Sequence, residues 1–393
     1  MKISNILKLR HYSALVLLAG LAACGSGGSG GGDGGAGGGT ATASGVFKDS
    51  NVSGLSYVSG NQTGITGPDG TFTYEVGQTV AFSIGGVTIG SAAGQSVVTP
   101  IDLVPGGSSG SQQVQNIVRF LLMLDTDGDP SNGISISSAV QNIADTWSSV
   151  DFGAADLSAE LASIISDAAS VDGTAHTLPD SSTAKSHLES TLLCTHAGAF
   201  RGTFTGGDNG PFGVLIGATT GFLTGFAFSN NDQSIVPLSG TSAISFDQSA
   251  AFVSGNASTG ATFSGQFTAP DQIGGSWQNT LFSISGTFSG NRIGGVANAA
   301  FRFTGSFGGD DFGLFTFDVD GSDSITGLSY SVAGDELFTL TGTVSGTSVS
   351  ATASDGTVIT GTLDKATGAL SGSWVDSAQG LSGTYSGSGC KLN

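Results

Sequence analysis

The densest group of side chains able to do chemistry is Asp125-Thr126-Asp127-Gly128-Asp129-Pro130-Ser131-Asn132-Gly133, with three carboxylates in five residues. Carboxylates so close repel one another unless water or a cation screens them. Alternate positions of a turn can converge on Ca2+, a hard ion that takes about six to eight oxygens. Asp125, Asp127, Asp129 and Asn132 are therefore the candidate ligands of a structural Ca2+. An exposed acidic turn ending a helix is the alternative. His187, Cys194 and His196 lie close enough in sequence to suggest a metal site, although Cys194 has a better use as half of a disulfide. Asp310-Asp311 and Asp318/Asp320 contain the carboxylate pairs that glycoside hydrolysis needs. Acids in turns are common, however, and no His–Asp setting singles out a serine nucleophile. No catalytic activity is expected. Trp277 and Trp374, each following Gly-Ser, are the candidate binding residues: exposed, they could stack on a sugar or anchor a protein; inward, each would plug its own module.

Placement in the cell is easier to read than chemistry. Leu21-Ala22-Ala23-Cys24 follows a basic start (Lys2, Lys8, Arg10) and a short apolar run from Ala14 to Leu21. That order is what lipoprotein processing reads, so residues 1–24 are expected to be a signal peptide and Cys24 a lipidated N-terminus. The run is well short of the roughly 20 apolar residues that span a bilayer. An ordinary signal peptide with an incidental cysteine is the alternative. Residues 25–44 form a tether, since Gly25 to Gly39 is glycine and serine apart from Asp33 and Ala36. Some twenty such residues reach on the order of 25 Å. Gly25, rather than Asp, after the lipid cysteine resembles the sorting pattern of Gram-negative lipoproteins sent to the outer membrane.

The same segments bound the partners. Without residues 1–24 the chain keeps 8 of its 11 basic residues and all 30 acids, a formal charge of −22. So acidic a surface excludes nucleic acid as a natural partner. The expected membrane contact is the N-terminal lipid. Cys194 and Cys390 remain after lipidation, an even number that suggests one disulfide in an exported protein, with two free thiols as the alternative.

The positioning elements are mainly β. Residues 45–104 alternate in short strands, with a turn at Gly67-Pro68-Asp69-Gly70 and a two-residue hairpin signal at Gly85-Gly86. Gly45-Val46-Phe47-Lys48-Asp49 and Thr66-Gly67-Pro68-Asp69-Gly70-Thr71-Phe72 resemble the strands of carboxypeptidase-regulatory-like β-sandwiches, which implies a small sandwich serving as spacer or binding module. Residues 105–196 turn helical. Val114, Ile117, Val118, Leu121 and Leu122 mark one apolar face, and Val140, Ile143, Ala144 and Trp147 a second. Leu157, Leu161, Ile164 and Ile165 mark a third, and a fourth helix should start at a Ser181 or Ser182 cap and reach Cys194. This helical collar carries the acidic loop at its first helix end. That loop resembles the start of an EF-hand, but its glycine comes fourth and Ile136 stands where the closing Glu would be.

Residues 197–295 and 296–393 are two copies of one β-repeat. Gly206-Gly207-Asp208 matches Gly308-Gly309-Asp310, Gly275-Ser276-Trp277 matches Gly372-Ser373-Trp374, and Ser285 to Gly290 matches Ser382 to Gly387. Strands alternate aromatic or aliphatic residues with Ser, Thr and Gly. The pattern predicts two antiparallel up-and-down β-barrel-like modules, with one larger shared sheet as the alternative. Phe282-Ser283-Ile284-Ser285-Gly286-Thr287-Phe288-Ser289-Gly290, followed by Gly294-Gly295, resembles barrel segments of transferrin-binding lipoproteins, though the family's longer Tyr-Gly-Pro run is missing. As a whole the chain resembles Gram-negative outer-membrane lipoproteins of adhesin-like architecture. The resemblance implies a lipid-anchored cell-surface protein that binds an external protein or glycan. A capture lipoprotein for a host ligand of transferrin or haem type is one alternative, and a periplasm-facing structural or assembly lipoprotein another.

Overall fold

Strands with one dry and one wet face must stack or close to bury the dry one. The computed structural model describes residues 40–243, 247, 252–295 and 299–392. Cys24, the signal segment and the tether up to Gly39 lie outside the described residues.

The N-terminal strands are β1 (Thr42–Phe47), β2 (Val52–Ser53), β3 (Ser56–Ser59), β4 (Gln62–Ile65), β5 (Thr71–Glu75), β6 (Thr79–Ile84), β7 (Val87–Ala93) and β8 (Val97–Val98). They make a three-stranded sheet in the order β5-β1-β8 and a four-stranded one in the order β4-β3-β6-β7. Ile84 pairs with Val87, so Gly85-Gly86 is the expected two-residue hairpin. The rings of Phe47 and Phe72 meet Phe82 edge-on at 4.8 and 5.1 Å.

The helices are α1 (Gln112–Met123), α2 (Ser138–Ala144), α3 (Leu157–Asp172) and α4 (Ser181–His196), with a short β9 (Ile134–Ser135) between the first two. β9 runs parallel to β2, which ties the helical segment to the sheets. One buried cluster runs from Phe47, Leu55 and Phe82 through Leu121, Leu161 and Leu188 into the first barrel at Phe200 and Phe267. The α4 cap is Asp180, not the serine expected at 181 or 182. Its carboxylate accepts the Thr183 N–H at 2.7 Å and also suits the positive end of the helix dipole.

Each repeat closes on itself. Barrel 1 comprises β10 (Gly198–Gly206), β11 (Gly210–Ile216), β12 (Phe222–Ser229), β13 (Ser234–Ala243), β14 (Phe252–Ala257), β15 (Thr262–Ala269), β16 (Gln272–Asn279) and β17 (Ile284–Arg292). Barrel 2 comprises β18 (Phe301–Gly309), β19 (Gly313–Val319), β20 (Ser324–Ser331), β21 (Glu336–Ser345), β22 (Ser348–Ala353), β23 (Val358–Leu363), β24 (Ala369–Asp376) and β25 (Leu381–Lys391). In both, neighbours in sequence pair antiparallel and the last strand returns to the first, which removes every sheet edge. The fold is therefore mainly β with two eight-stranded up-and-down barrels and few helices, not one shared sheet.

The register corrects one repeat match by a residue. Gly206 pairs with Gly286, and Gly309 with Gly383, so Gly206 is equivalent to Gly309 and Asp208 to Asp311. The two aspartates also make the same bond, each accepting the next residue's N–H, at 2.7 and 2.8 Å. Sequence identity had aligned the wrong one of two adjacent acids.

The joints are specific. Cys194 at the end of α4 is bonded to Cys390 on β25, with Cα atoms 5.7 Å apart. Arg292 Nη1 donates to the carbonyls of Thr195 and Ala197 at 2.8 and 3.4 Å, capping the negative end of α4. Between the barrels, Leu314 and Tyr330 pack on Ala199 and Ile293, and Arg201 pairs with Asp335 at 2.7 Å.

Candidate functional site

An eight-stranded barrel is just wide enough for its own side chains to fill, so the inward residues decide whether it is solid or hollow. The two copies differ there. Val214 faces Gly225 in barrel 1 where Phe317 faces Gly327 in barrel 2. Val236 opposite Ala227 is likewise replaced by Phe338 opposite Ser329. One exchange goes the other way, Phe263 to Ile359. The balance leaves barrel 1 with a cavity of about 140 Å3. Trp277, Phe288 and Leu238 are only half-buried, whereas their counterparts Trp374, Tyr385 and Leu340 are buried. Burial pushes the Tyr385 hydroxyl up to about 12 and leaves it without a hydrogen-bond partner, the mark of a dry interior.

One end of barrel 1 is stoppered. His196 at the end of α4 meets Phe267 edge-on at 4.7 Å, and Phe267 meets Phe200 at 5.7 Å. Burial holds the His196 imidazole below its usual value, and its Nδ1 donates to the Leu192 carbonyl at 2.8 Å. The opposite end carries the turns 207–209, 230–233, 258–261 and 280–283, and each contributes to the cavity lining: Asp208, Asp232, Thr259 and Phe282. Asp208 Oδ1 accepts N–H bonds from Asn209 and, at 3.4 Å, from Asn231, tying the first two turns together. Asn279 ties the other two, donating to the Thr259 carbonyl at 3.2 Å and accepting the Leu281 N–H at 3.0 Å. On this braced rim Leu281 is 77% and Phe282 68% exposed. The same turn in barrel 2 reads Ser377-Ala378-Gln379-Gly380. Trp277 lines the cavity, held by its Nε1 donating to the Thr205 carbonyl at 3.1 Å and by an edge contact with Phe204. Trp374 makes the matching bond to Gly308 inside barrel 2.

The remaining sequence candidates lie elsewhere. Asp125 is buried at the end of α1, its Oδ1 accepting the Ser135 N–H at 2.9 Å while Oδ2 lacks a hydrogen-bond partner. Burial, then the nearby Asp127 and Asp129 charges, push its carboxyl up to about 6. Asp127 and Asp129 are exposed and accept bonds from within the loop: Asp127 from Asp129 N at 3.0 Å and Asn132 Nδ2 at 2.8 Å, Asp129 from Ser131 N at 3.0 Å. These bonds hold both carboxyls below their usual value. Among the described residues no three His, Cys, Asp or Glu side chains are gathered as a metal cluster. His187 sits 3.4 Å from the fully buried Asp49, apart from the Cys194 bridge. Of the paired acids, Asp310 accepts the Ser382 N–H, Asp311 the Ser331 hydroxyl, Asp318 pairs with Arg302, and Asp320 accepts the Ser322 and Ser324 N–H groups. Gly106-Gly107-Ser108-Ser109-Gly110 has the spacing of a nucleophile elbow just ahead of α1. There Ser108 contacts the Ser111 hydroxyl at 3.0 Å and Ser109 donates to Glu189 at 2.7 Å.

The hollow barrel and its rim were missed from sequence. The signal was available in the duplication, as Thr280-Leu281-Phe282-Ser283 against Ser377-Ala378-Gln379-Gly380 and Val against Phe at two inward positions.

No family model and no curated protein matches the chain. Among solved structures it is similar to a mutant of transferrin-binding protein B from Haemophilus parasuis, with 11% identity and a TM-score of 0.18, covering 47% of this chain and 54% of that one. The isotype 1 transferrin-binding protein B of Neisseria meningitidis gives 12%, 0.18, 47% and 52%. A Nostoc punctiforme protein of unknown function gives 9%, 0.16, 51% and 98%. The chain thus matches about half the length of the transferrin-binding proteins. Overlaps this weak say nothing of what it binds.

Proposed function

We propose that this chain is a lipid-anchored cell-surface protein that captures an external protein ligand at the open end of barrel 1 and catalyses no reaction. The observation that carries the reading is the rim. Leu281 and Phe282 stand exposed over an apolar cavity on turns braced by Asn279 and Asp208, while the duplicate barrel carries small and polar residues at that turn. Exposed apolar and aromatic groups on a rigid frame are what binding hot spots require. Anchoring through Cys24, a Gly/Ser tether and an acidic, disulfide-bonded body fit work at the outer membrane surface. Protease added to intact cells should remove the segment after His196. Protection until the cells are permeabilised would refute surface capture and favour a periplasm-facing role.

A further inference from the structure

We infer that the barrel 1 cavity is a binding site for small organic ammonium ions with an apolar body about the size of one aromatic ring. The inference rests on the open end of barrel 1 being a binding end, and it names the chemistry that end accepts.

Size sets the body. An apolar cavity near 150 Å3 takes a benzene-sized molecule, and this one is about 140 Å3. Among the described residues six aromatic rings line it, from Phe204, Phe212, Phe263, Trp277, Phe282 and Phe288. Such walls offer edge-to-face contacts to a ring and cation–π contacts to an ammonium group.

Charge sets the head group. Among the described residues the only two charged ones on the lining, Asp208 and Asp232, are both carboxylates, and both belong to turns at the open end. A ligand whose ring enters first therefore leaves its charged end at the carboxylates. There a cation is attracted, an anion is repelled and a neutral molecule gains nothing.

The duplicate acts as an internal control. Barrel 2 puts Phe317 and Phe338 where barrel 1 has Val214 and Val236, and Gly334 where barrel 1 has Asp232. It has bulkier residues at both inward positions, and the acid its turn does carry, Asp335, is paired with Arg201.

Benzylamine, with toluene and phenylacetate as neutral and anionic controls, tests this on the full chain by calorimetry and ligand-detected NMR. Benzylamine should bind at least about tenfold tighter than toluene, and phenylacetate weakest. Asp208→Asn with Asp232→Asn should bring benzylamine to the level of toluene and leave toluene unchanged. Val214→Phe with Val236→Phe, which copies barrel 2, should abolish binding of both while circular dichroism stays that of the parent. If the double variant misfolds, Val236→Phe alone should still weaken both probes by at least about tenfold. Equal binding of benzylamine and toluene, or a preference for phenylacetate, would overturn the ammonium assignment. Binding of none of the three would overturn the cavity site. Either result leaves surface capture standing, because that reading is decided by protease on intact cells.

Discussion

Replacing Asp318 by leucine while keeping Arg302 should cost barrel 2 more than almost any other single change. The two side chains face each other across β18 and β19 in a bidentate pair, with both N···O distances 2.9 Å, and are almost fully buried. Removing one partner of a buried pair leaves the other charge unsolvated, at a cost of about 3–5 kcal/mol. The surroundings make the cost lopsided. Burial, with the Arg302 charge next, already pushes Lys48 down to about 8 and Arg292 down to about 9, and Asp318 opposes both shifts. Asp318→Leu strands a group of cations, so it should sit at the upper end, about 4–5 kcal/mol. Arg302→Ala leaves Asp318 with Lys48 and Arg292 still near, so it should lose about 1–3 kcal/mol. Barrel 1 supplies the neutral alternative, because the equivalent cross-strand pair there is Ala199 and Leu215. The double variant Arg302→Ala with Asp318→Leu should therefore return to within about 1 kcal/mol of the parent. Urea unfolding followed by tryptophan fluorescence measures all four corners of the cycle. If the two single losses add to within about 0.5 kcal/mol, the pair is not coupled and the argument from burial fails.

Four further outcomes follow from single groups. Burial pushes the Asp49 carboxyl up to about 6, so the folded chain holds that proton more tightly than the unfolded one. The stability this contributes is fully present below about pH 4 and is lost as pH rises through about 6, which denaturation at pH 4, 5, 6 and 7 would show and Asp49→Asn should flatten. In Ca2+-free buffer at pH 7.5, Asp125→Asn keeps the acceptor for Ser135 and removes a repelled charge, so it should stabilise by about 1 kcal/mol. Tyr385→Phe, which copies Phe288, removes a buried unpartnered hydroxyl and should stabilise by about 1–2 kcal/mol, read as a higher urea midpoint. Reducing Cys194–Cys390 frees a loop of 196 residues and should cost up to roughly 5 kcal/mol, seen as a lower melting temperature in reductant.

What the sequence made legible were features written as periods. Alternation along strands such as Leu381–Lys391 and the recurrence of Gly-Ser-Trp gave two barrels, and 3.6-residue spacing of Leu157, Leu161 and Ile164 gave α3. Registers that depend on closure were not legible. Two adjacent acids, Asp310 and Asp311, are indistinguishable until Gly309 is seen to pair with Gly383. Nor does a two-residue strand such as β9 have a period to read, so its pairing with β2 emerged only from tertiary structure. The cavity escaped for a related reason. Val214 and Phe317 both count as inward apolar residues, and the difference between them is volume, to which a hydrophobic pattern is blind.

Both barrels are engaged at the equivalent end of their strands, and barrel 2 also touches barrel 1 with its other end. Barrel 2 is held at the end carrying Arg302, Asp318 and Cys390, where the Lys48 ammonium also donates to the Leu392 carbonyl. Its other end, through Phe312 and Asp335, lies against the wall of barrel 1 at Phe226 and Arg201. Barrel 1 is held at one end by His196 and Phe267, and its far rim carries the most exposed large apolar residues of those described. An empty space of about 140 Å3 costs the fold up to about 3 kcal/mol at about 24 cal/mol per Å3, less where water enters. Two valine-to-phenylalanine exchanges, already present in the sister barrel, are the available means of removing that cost. Barrel 1 keeps Val214 and Val236 and therefore keeps the space, beneath a rim that exposes Leu281 and Phe282.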